Sequence, residues 1–92
     1  MEVENMKTPN GNTAPNQFLI HGYDSVTFQS YKSKIADYNR RQDELIVYED
    51  WDYSKTTLKY FKQFINTETS FNYENVNQWR EEMKNNPKIE VV

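Results

Sequence analysis

The period of the hydrophobic pattern changes once along the chain, and that change narrows the fold more than any motif does. Between Val26 and Val47 apolar and polar residues alternate, as in Val26 and Phe28 against Thr27 and Gln29, the two-residue repeat of a half-buried strand. Beyond Ser54, Leu58, Phe61 and Ile65 recur at i, i+3 and i+7 with Phe64 widening the stripe, the repeat of a helix with one buried face. Strands followed by helices predict an α+β fold. At 92 residues there is room for one domain, and a chain of this size buries only roughly 60% of its unfolded surface. No Cys is present, so packing alone must hold it together. Hydrophobic residues make up 36% of the chain but aromatics reach 15%, so aromatic rings are expected to fill the core, with some of the seven Tyr left at the surface.

Residues 1–16 combine Asn5, Asn10, Asn12 and Asn16 with Pro9, Gly11 and Pro15 and show neither period. They are expected to form a flexible tail, leaving 17–92 as a single domain. Phe18, Leu19 and Ile20 predict a short strand, residues 22–25 a turn, and the alternation from Val26 to Tyr31 a continuation of the sheet. Further strands are expected over 35–39 and 44–49, joined by the polar turn 40–43. Connections this short make antiparallel pairs, so an antiparallel sheet of three or four strands follows. Asp52 or Ser54 caps a helix over 55–66. Asn72 caps a second helix with Tyr73, Val76, Trp79 and Met83 on one face, and Pro87 stops it. Ile89, Val91 and Val92 predict a short strand or an ordered tail. The expected core is Phe18, Ile20, Val26, Phe28, Ile35, Leu45, Val47, Leu58, Phe61, Ile65, Val76 and Trp79.

Two segments, Phe28 to Ala36 and Asp52 to Ile65, together resemble a family of small uncharacterised proteins of bacteriophages and mobile elements, especially of gut bacteria. The resemblance rests on Tyr31, Ile35 and Ala36, then Tyr53, Ser54, Thr56 and Thr57. It covers residues 17–66 and leaves out the tail and the last helix. It implies a phage or mobile-element setting, without an activity, cofactor or catalytic residue. Read physically, the second segment is a helix start: Ser54 caps, Tyr53 packs on Leu58, and the Thr56 and Thr57 hydroxyls meet unpaired backbone groups. The alternative is a phosphate site formed by the same free amides with Lys55.

The charge count of 11 Lys plus Arg against 14 Asp plus Glu gives a net of −3, which argues against binding to nucleic acid or anionic membrane by bulk charge. Lys55, Lys59 and Lys62 nevertheless share one flank of the first helix with Tyr60, and a nucleic-acid surface there would draw in Lys34, Arg40 and Arg41. Glu49, Asp50 and Asp52 lack calcium-loop spacing, and no metal or cofactor is expected. His21 is the single histidine, and with Asp24 and Ser25 in one turn it cannot form a catalytic triad, so no enzyme and no catalytic residue is expected. No apolar run reaches the length of a membrane span or signal core, consistent with a soluble cytoplasmic protein. The leading expectation is a non-enzymatic phage or mobile-element accessory protein that binds a host or phage protein, in its sharper form an anti-CRISPR-like inhibitor of a host defence system. Its first surface candidates are Tyr48, Glu49, Asp50, Trp51 and Tyr53. The rivals are a small nucleic-acid regulator acting through Lys55, Lys59, Tyr60 and Lys62, and a homo-oligomeric virion-associated protein.

Overall fold

Short polar turns fold the first half of the chain back on itself four times. In the computed structural model, which describes residues 2–92, they connect β1 (Glu2–Lys7), β2 (Thr13–His21), β3 (Ser25–Ser30), β4 (Ser33–Asn39) and β5 (Glu44–Val47). A 3-10 turn (Glu49–Asp52), α1 (Lys55–Glu68), α2 (Val76–Asn85) and β6 (Ile89–Val91) follow. The strands form one sheet in the order β1-β2-β3-β4-β5-β6. The first four pairings are antiparallel, while β6 returns after both helices to lie parallel to β5, with Leu45 beside Ile89. A parallel pair needs a long crossover, and residues 48–88 supply one containing both helices.

The α+β class and the two helices agree with the sequence, but the sheet has six strands among the described residues rather than three or four, and it is mixed. The expected flexible tail over 1–16 is not supported for the described residues 2–16, Met1 lying outside them. Instead β1 and the first part of β2 form a hairpin whose turn is held by Thr8 N–H donating to Asn12 O at 2.7 Å and by Gly11 at φ +85°. Few of its side chains are apolar, yet Met6 is 3% exposed and Ala14 fully buried, and the Gln63 amide donates to Lys7 O at 2.8 Å, tying the edge strand to α1. Backbone pairing does not depend on side-chain polarity, which is how so polar a segment is ordered.

Both helices cover one face of the sheet. From the sheet, Leu19, Val26, Phe28, Ile35, Leu45, Val47 and Ile89 meet Phe61, Phe64, Ile65, Tyr73 and Trp79. Phe28 stacks on Phe64 at 5.6 Å, and Phe61 contacts Trp51, Tyr73 and Trp79 with centroids 5.6–6.0 Å apart. Two expected core residues, Phe18 and Ile20, are only half-buried: β2 pairs with β3 so that Leu19 lies opposite Phe28 on the inner face, sending its neighbours to the outer one. Leu58 and Val76 sit at the core margin. A shift in the β3–β4 register leaves Ile35 as an extra residue on β4, and both Ile35 and Ala36 are buried. The first helix starts where expected and runs to Glu68. The second is capped by Asn75 rather than Asn72, its side chain accepting from the Gln78 N–H at 2.9 Å.

Candidate functional site

The two segments singled out in the sequence, 27 residues apart at their contact, meet at the start of α1. Ser54 is the N-cap, and its hydroxyl oxygen accepts from the Thr57 N–H at 3.1 Å. Thr57 lies on the inward side of the first turn, so its hydroxyl reaches Ser30 at the end of β3 and shares a buried 2.9 Å hydrogen bond with it. This contact joins the tight β3–β4 turn, Tyr31 and Lys32, to the helix. Between turn and helix lies an open cleft of about 610 Å³, floored by Ile35 and lined by Ser30, Ser33, Ser54, Thr56 and Thr57, with Asn16, Lys32 and Asp50 at its margins.

Two tyrosines flank the cleft. Tyr31 has φ +56°, the left-handed region favoured by glycine, while its N–H donates to Asn16 O at 2.7 Å and its side chain remains 47% exposed. Asn16 is itself at φ +63°. Tyr53 is 78% exposed and does not pack as the helix-start reading expected; its N–H donates to Asp50 O at 3.1 Å, closing the 3-10 turn. Serine and threonine hydroxyls offer both donors and acceptors, and an exposed ring offers flat apolar area with a polar tip. The cleft can therefore receive a polar group between two aromatic walls.

The residues expected at the surface divide. Tyr53 and Asp50 line the cleft, while Tyr48, Glu49 and Asp50 come together in a second, adjoining groove with Ser33, Lys34 and Val92. Trp51 is not a surface residue: it is 5% exposed, turned by the 3-10 segment against Phe61, with the Arg80 guanidinium 5.1 Å over its ring. Tyr48 points to the uncovered face of the sheet, where its hydroxyl donates to Asp37 Oδ2 at 2.6 Å. Lys55, Lys59 and Lys62 are exposed on α1, but Tyr60 is only 6% exposed and offers no stacking surface. Lys34, Arg40 and Arg41 do not join them: they pair with Asp37, Glu68 and Asp24 at 3.1, 3.6 and 3.0 Å. His21 meets Glu4 at 2.8 Å and takes no part in the cleft. Among the described residues no three His, Asp or Glu side chains converge as a metal site would require, and no helix is long and apolar enough to cross a membrane.

Sequence reasoning passed over Asn16, Ser30, Lys32 and Ser33 as site residues. Ser30, Lys32 and Ser33 fall in the quoted segment 28–36, which was their only signal, and Asn16, assigned to the tail, had none, because a site assembled across a turn, a bulge and a helix start has no spacing of its own.

Compared with known proteins, residues 1–82 match the model of a family described as "Family of unknown function (DUF8033)". The match extends beyond residues 17–66 to take in β1, all of β2 and most of α2. No curated protein and no solved structure matches the chain.

Proposed function

The chain belongs to this family of unknown function, and we propose that it is a non-enzymatic interaction module that binds a partner protein in the cleft between the β3–β4 turn and the start of α1. The observation that carries this reading is Tyr31. A residue with a side chain at φ +56° costs about 1 kcal/mol relative to glycine, and here that cost holds a large ring half in solvent beside an open cleft. Strained backbone and exposed aromatics at a concave surface are features of recognition sites. The hydroxyl lining supports a polar group as the inserted element, with Tyr53 as the second anchor and Asp50 at the margin. The resemblance to phage and mobile-element proteins supports a host or phage protein as the partner, and the reading extends to inhibition of a host defence system.

Affinity capture from bacterial lysate, with and without nuclease and read by mass spectrometry, tests this. One protein retained in stoichiometric amount and indifferent to nuclease is expected. Tyr31→Gly should abolish its capture without loss of stability in urea denaturation, because relief of the left-handed backbone offsets the entropy that glycine adds to the unfolded chain, and Tyr53→Ala should weaken capture with stability unchanged. Capture indifferent to both substitutions would remove the cleft from the reading. Capture lost on nuclease treatment would favour a nucleic-acid regulator acting through Lys55, Lys59 and Lys62.

A further inference from the structure

The cleft uses the side of α1 that carries Thr56 and Thr57. The helix repeat puts Lys55, Lys59 and Lys62 on another side, and all three are exposed. None of them takes part in an ion pair among the described residues; the same holds for Lys7, Lys32, Lys84 and Lys88, but only Lys55, Lys59 and Lys62 stand together on one helix flank. The three lysines rim a shallow groove of about 320 Å³ whose remaining walls are Leu58, Tyr73 and Val76. Leu58 and Val76 are half-buried aliphatic side chains resting on the core, so the groove combines an apolar floor with a cationic edge.

We propose that this groove is a second binding site, for an acidic amphipathic segment of a partner protein, which places carboxylates against the lysines and an aliphatic side chain on Leu58 and Val76. Charge complementarity selects the occupant: three cations without counter-charges attract an anion, and the aliphatic floor adds affinity only for a ligand that is also apolar. A nucleic acid fits less well. Both rings beside these lysines are buried, Tyr60 at 6% exposure with Lys59 Nζ 5.4 Å over its centroid and Tyr73 at 4%, so no base can stack on either. The site does not depend on the cleft.

The probe is a fluorescently labelled helix-forming peptide with Glu on one face and Leu on the other, titrated with the full chain by anisotropy beside a labelled DNA duplex. The peptide should bind, and more weakly as salt rises. The combined substitutions Lys55→Glu, Lys59→Glu and Lys62→Glu should weaken binding by about tenfold or more. Val76→Ser should weaken it while leaving the salt dependence intact, and Tyr31→Gly should leave it unchanged, which separates this site from the cleft. Circular dichroism melts confirm that each variant is folded. Failure of the peptide to bind, equal binding by the triple variant, or tighter binding of the duplex would each overturn the proposal.

Discussion

Asp37 illustrates how single residues on the uncovered face of the sheet set the response to pH. Burial is the largest effect on its carboxyl and pushes the pKa up, but hydrogen bonds from Thr27, Tyr48 and Lys34 together hold it below the ordinary 3.8. Asp43 is likewise held down, by hydrogen bonds from Ser70 and Tyr38, the latter at 2.5 Å. A carboxylate with a lowered folded pKa contributes stability that is whole above its unfolded value of 3.8 and is lost as pH falls through the lower folded value. Urea denaturation across a pH series should therefore show stability falling below pH 3.8. Asp37→Asn should flatten that acid limb and lower stability at neutral pH; an unchanged limb would assign the loss to other groups. None of this was legible in the sequence, because Thr27, Asp37 and Tyr48 become neighbours only when β3, β4 and β5 pair in register. Neither nearby ring was legible: Tyr53 was expected to pack on Leu58 as well as offered for the surface, and Trp51 was offered for the surface, but the 3-10 turn leaves Tyr53 78% exposed and carries Trp51, two residues earlier, into the core at 5%.

At the scale of elements, the strands β3 to β5 and both helices could be read from periodicity, whereas β1 could not. An edge strand with one hydrogen-bonded neighbour and one deeply buried side chain leaves almost no pattern in its sequence. In β2 the run Phe18, Leu19 and Ile20 has no alternation, so nothing in it says which residues face inward; the pairing of Gln17 with Ser30 and Leu19 with Phe28 settles that. The ordering of β1 has a measurable consequence. Met6→Ala should cost about 2 kcal/mol or more in urea denaturation, as expected for a large side chain deleted from a packed core. A flexible tail would tolerate the change without effect, and a neutral result would show that β1 is not held by its side chain.

For the molecule as a whole, aromatic composition foretold a core built on rings, and that core is shared by every layer. Trp51 follows the sheet and Trp79 belongs to α2, yet both contact Phe61 of α1. Unfolding followed by tryptophan fluorescence and by far-ultraviolet circular dichroism should accordingly give coincident transitions, since no layer retains a core without the others. Separated midpoints would show that the hairpins and the helices melt independently. The candidate cleft was legible only in halves, each half visible as a segment and their meeting fixed by tertiary structure. The parallel seating of β6 also governs how the chain matures during its synthesis. Each hairpin from β1 to β5 can zip as it leaves the ribosome, but Ile89 closes the core beside Leu45, so the nascent chain completes its native sheet only after both helices and residues 89–91 have emerged.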